Sequence, residues 1–468
     1  MPSPHPLELT EIVSVLVAYL PPSSLPACAR VNKAWYQACI PYIWSNTDLD
    51  KLNKLPEFTA LVQKRRLLIK KIRIGPMSQE YTALRFPNLD SLELDGECVG
   101  DNYTQFVMGH PTVSRLALRR FSPSYPSTFW DALLGFQNLR ALSMSTREIF
   151  GANFDKVWQL CTRLERLGIH VTGHGPVTAT LPAGELLFNI KHLEVDGSSC
   201  YSVPFFMEFL RRCPSLISIR WRSIYGHEDT FLSALSLMLE ANTWPYLEHF
   251  DLGARQTRNE LVAKTIQSMP QVTTLTLDMS YTVYNMDFAP LQPRFTNLRV
   301  LELLPEQRVK SRMAQDILSS CPLLEKLVAP HIDADVIMRG KPWVCLGLKI
   351  LELAFCFDPS TTVGKHQPLV FDQLSKLTRL EEWHIVGPSG FAGTVDLRIE
   401  NGLAKLSTLK RLRTITARDI VERMGDAEVD WMLEHWKHLE VFNGQLNKDR
   451  TVGNALRKRL REHGVMFR

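Results

Sequence analysis

Apolar positions return along this chain in one repeated phrase. A turn comes first, then Leu-x-x-Leu-x-Leu, then a polar exit, most clearly in Phe86-Pro-Asn-Leu-Asp-Ser-Leu-Glu-Leu-Asp95. Its first apolar position recurs at Leu89, Val113, Leu139, Leu164, Ile190, Leu216, Leu247, Val272, Leu298, Leu324 and Leu348, with looser copies at Leu380, Leu409 and Leu439. The period-2 alternation inside the phrase predicts a short strand that buries its leucines on one side and turns the intervening residues outward. The longer stretches between strands include runs with helix-spaced apolar residues, over 202–212, 229–240 and 312–319.

Most steps between copies are roughly 24–26 residues, the range of leucine-rich repeats. The fold class that follows is α/β: a curved solenoid whose parallel strands line the concave face, preceded by a small helical unit. Longer steps after Leu216, Leu348 and Leu380 predict inserted loops around 225–229, 358–368 and 387–394. Near the end, a helix over 429–436, a last strand over 439–442 and a polar closing helix over 452–463 are expected, since a solenoid needs a terminal cap. Residues 51–85 form the way into the array, with a first, atypical strand through Leu67, Ile69, Ile72 and Ile74. The basic residues there (Lys64, Arg65, Arg66, Lys70, Lys71, Arg73) are interleaved with core positions and read as a solvated helix end. The division expected is 1–50, 51–85 and 86–468.

Residues 1–50 do not carry the repeat. Ile12, Val13, Leu16, Val17 and Leu20 fall at helical spacing, with Thr10 as a cap and Pro21-Pro22 as a stop. Ser23 or Ser24 can start a second short helix and Asn32 a third. Three short helices make a marginal core that must lean on something else. The segment resembles an F-box in Leu7-Glu-Leu-Thr-Glu-Ile-Val13, Tyr19-Leu20, Leu25, Cys28, Val31-Asn-Lys-Ala-Trp35 and Pro41-Tyr-Ile-Trp44. Thr10 stands where many members have proline. Joined to a repeat array, the pattern resembles F-box/leucine-rich-repeat proteins, and is similar to expanded F-box families of filamentous fungi.

That resemblance implies a substrate receptor of an SCF-type ubiquitin ligase. Its helices would dock on a Skp-type adaptor, and through it on a cullin–RING ligase, by Leu7, Leu9, Ile12, Val13, Leu16, Leu20, Leu25, Val31, Trp35 and Trp44. Some of these must instead fill the small core. The other reading is an adaptor-independent scaffold in which the same helices only cap the array.

Outward strand positions would form the substrate face. In the first half they are Glu93, Asp95, Arg115, Arg119, Arg166, His170, His192, Glu194, Asp196, Arg220 and Arg222, with a basic lean. In the second half Asp251, Asp278, Glu302, Glu352 and Glu382 dominate, with His249 and His384 among them. Such a face offers area to a protein and no deep pocket to a small substrate.

Composition adds limits. A formal charge of +5 makes no case for nucleic acid. The 9 cysteines include no C-x-x-C pair, and Cys161, Cys213 and Cys321 share one repeat position, which predicts buried packing residues. The apolar run 12–20 is too short to span a bilayer and follows acidic residues, so a cytosolic or nuclear protein without membrane contact is expected. No cofactor or metal is expected, and no catalytic constellation stands out. His435 and His438 lack a third ligand, as do His170 and His174, and Gly387-Pro-Ser-Gly390 lacks the context of a nucleophile elbow. An enzyme with a site in an inserted loop is the remaining, weaker reading.

Overall fold

The computed structural model describes residues 10–55, 57–95, 101–121, 126–146, 154–171, 181–182, 184, 186–197, 202–224, 228–254, 258–269, 271–278, 295–303, 311–357, 363–385, 395–417 and 420–467. They form two compact units, Met1–Leu216 and Ile217–Arg468.

The first unit opens with helices α1 (Thr10–Ala18), α2 (Leu25–Cys28) and α3 (Lys33–Ser45). Asn32 caps α3 as its sequence predicts, its side-chain oxygen accepting from the Trp35 amide at 3.0 Å. Ser24 precedes α2 without capping it; its hydroxyl donates to the Pro21 carbonyl instead, at 2.8 Å. Thr10 is the first helical residue of α1 rather than its cap. Strand β1 (Asn46–Asp48) starts at the residue after α3, so no linker separates the helices from the array.

The expected first strand is therefore the second. β2 (Lys71–Ile74) pairs in parallel with β1, and then β3 (Ser91–Asp95), β4 (Arg115–Phe121), β5 (Ala141–Thr146), β6 (Arg166–Val171) and β7 (His192–Gly197) follow in sequence order. The second unit continues the plan in the same parallel order. Its strands are β8 (Ser218–Ile224), β9 (His249–Ala254), β10 (Thr274–Asp278), β11 (Val300–Leu303), β12 (Lys326–Asp333), β13 (Ile350–Cys356), β14 (Glu382–Ile385), β15 (Thr414–Ala417), β16 (Val441–Gly444) and β17 (Met466–Phe467). Helices Val203–Arg211, Glu228–Glu240 and Ser311–Leu318 fall within one or two residues of the helical spacing read from the chain.

Strands β3–β7 and β9–β16 begin with the same hydrogen-bond fork. The amides of Ser114 and Arg115 both donate to the Asp90 carbonyl, at 2.9 and 3.0 Å; those of Arg299 and Val300 both donate to Thr273, at 2.8 and 3.0 Å. This fork corrects one repeat start. Arg413 and Thr414 converge on the Glu381 carbonyl, so the copy begins at Leu412 and not at Leu409. Two leucines three apart let the phrase be read in either frame. Leu409 occupies the turn position instead, three residues before the strand leucine.

That turn position is buried in copy after copy: Phe86, His110, Phe136, Cys161, Cys213, Trp244, Phe295, Cys321, Cys345 and Trp436. The cysteines read as packing residues are thus one choice among several, and burial pushes the Cys161 thiol beyond the range where it would ionise. The end of the chain also differs from expectation. Helix Asp426–His435 and strand β16 match, but β16 is not the last strand. Helix Arg450–Glu462 buries Leu456 and Leu460, Gly464 turns with φ 82°, and β17 pairs with β16. Phe467 stacks on Phe442 at 5.9 Å, with the Arg457 guanidinium 4.7 Å from its ring.

His110 shows what the turn position demands. Its Nδ1 lies 2.7 Å from the Phe106 carbonyl and its Nε2 3.1 Å from the Phe86 amide. A carbonyl only accepts and an amide only donates, so Nδ1 carries the proton and Nε2 is bare. A second proton would face the Phe86 N–H, and burial pulls the pKa down to about 4. The folded value lies below the unfolded one, so this contribution is complete above about pH 6.5 and is lost as pH falls toward 4. Urea midpoints followed across that window should drop by the equivalent of roughly 3 kcal/mol, and this component of the slope should vanish in H110F.

Candidate protein-interaction surfaces

Two kinds of surface emerge, one on the helices and one on the strand faces. The helical core consists of Val13, Val17, Leu25, Ala38 and Cys39, with Leu20, Cys28, Ala29, Trp35 and Ile43 packed against it. Val13 and Leu25 are thereby removed from the expected docking set, and Leu20 and Trp35 are largely committed to the core. Trp44 is half-buried, while Leu7 and Leu9 lie outside the described residues. The rest of α1 is not used up. Ile12 is 39% exposed, Val15 60%, Leu16 40% and Tyr19, just past the helix, 85%; Val31 adds 64%.

Positions 12, 15, 16 and 19 follow the i, i+3, i+4, i+7 rule and make a continuous apolar stripe. α1 therefore has two apolar faces, and the core covers one. Val15 was not singled out by sequence reasoning, and Tyr19 only as part of a motif. The spacing that assigns them was present, but only burial separates the inward set from the outward one.

On the strands, adjacent outward residues come into register. One row of the first unit reads Arg73, Glu93, Ala117, Ser143, Gly168 and Glu194. Glu93 and Asp95, expected to meet a partner, are buried under arginines. Arg73 reaches Asp95 at 2.7 Å and Glu93 at 3.5 Å, and Arg119 reaches Glu93 at 2.8 Å. Solvent meets Arg115, Arg119 and Arg166, with a half-exposed His170, around the small residues of β4–β6. Arg115 itself holds Asp90. Hydrogen bonds from Ser114 and then Arg115 keep the Asp90 carboxyl below its usual range.

The second unit repeats this device at one end. Asp251 is buried beneath Arg220 at 2.9 Å and Arg222 at 2.8 Å, so two arginines face outward and the carboxylate does not. Further along, Lys326 pairs with Glu302 at 2.6 Å, and His384 bridges Glu382 at 3.2 Å and Thr416 at 2.9 Å. Glu352 and Asp278 are half-exposed.

No protein-family model matches the chain, and no curated protein matches it. Solved structures do. A leucine-rich-repeat protein of Leptospira interrogans aligns over 95% of this chain and 97% of its own, at 14% identity and a TM-score of 0.40. The Rad7–Elc1 complex of yeast gives 100% and 98% coverage, 11% identity and a TM-score of 0.45. The Drosophila Toll–Spatzle complex aligns over 81% of this chain and 57% of its own, at 14% and 0.41. The fold is a leucine-rich-repeat solenoid. The parallel ladder of repeated strands carries that reading by itself, and likenesses this distant add nothing to it.

Of the paired histidines, His435 is taken up by packing. His435 stacks on Trp431, with centroids 4.5 Å apart, and its Nδ1 lies 3.0 Å from the Trp431 carbonyl. His174 lies outside the described residues, as do Gly387-Pro-Ser-Gly390 and residues 225–227, 358–362 and 387–394 of the expected loops; residues 228–229 and 363–368, expected as loop, are instead helical, within Glu228–Glu240 and Val363–Leu374. Among the described residues, no group of three or more His, Cys, Asp or Glu could hold a metal, and no helix is long and apolar enough to cross a membrane.

The division of α1 predicts unequal substitutions. Val13→Asp buries a charge and should cost the helical unit upwards of about 3 kcal/mol. Val15→Asp and Tyr19→Asp should stay within about 1 kcal/mol of wild type. Circular dichroism and urea unfolding of the three variants would show the split.

Proposed function

We propose that this chain is the substrate-recognition subunit of an SCF-type ubiquitin ligase. The outer stripe of α1 and the exposed Val31 dock a Skp-type adaptor, which connects the chain to a cullin–RING ligase. The strand faces hold a protein substrate. The chain contributes proximity, and other subunits supply the chemistry. It would work in the cytosol or nucleus.

One observation carries this reading. The stripe through Ile12, Val15, Leu16 and Tyr19 is apolar and exposed although the core beneath it is complete. The alternative, a helical cap on an adaptor-independent scaffold, calls for a polar outer face, because capping units exist to end the apolar stack. Exposed apolar surface of this kind marks a binding site. The direct run of α3 into β1 suits the same role, since it fixes the docking helices to the start of the array.

Purified adaptor should capture the wild-type chain, and Val15→Asp/Tyr19→Asp should weaken capture at least tenfold while keeping the far-ultraviolet spectrum. Equal capture of both proteins, or capture of neither, would sink the ligase reading and leave the scaffold.

A further inference from the structure

The outward residues of β11–β14 form a checkerboard that the sequence phrase conceals. In one row Val300, Lys326, Ile350 and Glu382 are neighbours; in the next Glu302, Val328, Glu352 and His384 are. An aliphatic side chain thus sits beside a charged one both along each of β11–β13 and across them. Val300 and Ile350 are partly exposed although they occupy outward positions.

The charge here is one-sided. On β10–β14 the described outward carboxylates Asp278, Glu302, Glu352 and Glu382 face one lysine, Lys326, which Glu302 already holds at 2.6 Å. The row of residues just before these strands does not compensate. Its Arg299 and Lys349 are both taken by Glu325, at 2.7 and 2.6 Å. Among the described residues, neither Glu352 nor Asp278 has an ion-pair partner.

Spacing selects the shape of a partner. Neighbouring strands stand about 4.8 Å apart, and one helical turn advances about 5.4 Å. A helix laid across the strands therefore presents one side chain to each strand in turn, alternating i+3 and i+4 steps. An extended segment repeats a side chain on one face every ~6.7 Å and falls out of step. Crossing β10 to β14 takes about 19 Å, or about 13 residues of helix.

We propose that this face of the second unit binds a basic amphipathic helix of the partner, with lysine or arginine at i and i+7 over Glu302 and Glu352 and an aliphatic residue between them over Val328. The proposal rests on the reading of the strand faces as the substrate surface and names the chemistry that surface selects. Aliphatic contact at the partly exposed Val300 and Ile350 gives the helix a register, with the buried Val328 as the floor between them, and the carboxylates give it a sign.

A labelled 14-residue peptide with that Lys/Leu pattern, titrated into the full chain by fluorescence anisotropy, tests it. Saturable binding that weakens with salt is expected. Glu352→Lys, and more mildly Glu352→Gln, should reduce affinity, the former at least tenfold; Ile350→Ser should reduce it several-fold; Lys458→Glu on the exposed side of the closing helix should leave it unchanged. A charge-reversed peptide should not bind, and a proline-broken peptide of the same charge should bind at least tenfold more weakly. No saturable binding, indifference to Glu352→Lys, or equal binding of the proline-broken peptide overturns the inference. Adaptor capture measured on the same samples separates the two failures. Lost peptide binding with intact capture removes this inference alone, and lost capture with intact peptide binding removes the ligase reading alone.

Discussion

The backbone fork at the start of β3–β7 and β9–β16 is the constraint on which the rest depends. Two successive amides converge on one carbonyl of the preceding copy, from Lys70 through Glu165 in the first unit and from Ile217 through Arg413 in the second. The fork locks neighbouring copies in parallel register. A one-residue slip would send every leucine of the phrase to the solvent side, at about 1.5–3 kcal/mol for each buried leucine exposed. With register held, the residues between the leucines line up across strands as well as along them. Rows of side chains, rather than single residues, become the units of the surface.

Those rows explain why the charged residues do not all behave alike. A carboxylate flanked across the sheet by arginines sinks beneath them, as Glu93, Asp95 and Asp251 do. The surface then takes the sign of the covering residue. Carboxylates beside aliphatic neighbours, such as Glu352 next to Val328, stay available. The residue just before each strand adds its own ladder, in which Arg299, Glu325 and Lys349 alternate in sign. Exposed pairs of this kind contribute little stability each, but they confine their charges to their own row.

The helical unit poses a similar question with the opposite chemistry. α1 is apolar on two sides, and a core of three short helices can cover only one. Local propensity and spacing say that α1 is a helix. They do not say which of Val13, Val15, Leu16 and Val17 turns inward, because all four are aliphatic.

How much was legible follows from these cases. The repeat, the parallel strand plan, the Asn32 cap and the positions of the connecting helices were readable from the chain, since they depend on periodicity and on residue types with strong local preferences. The frame of the copy at Leu412 was not, because Leu409 satisfies the same phrase and only pairing with Glu381 chooses between them. Strand β17 was hidden because Met466–Phe467 is too short to show alternation and exists only by pairing with β16. Of the candidate surfaces, the outward positions themselves were legible, but their exposure was not. Sequence determined which residues alternate and therefore which could face out. Tertiary structure decided which of them do meet solvent, because a side chain's neighbours across the sheet lie roughly 25 residues away in the chain and about 4.8 Å away in space.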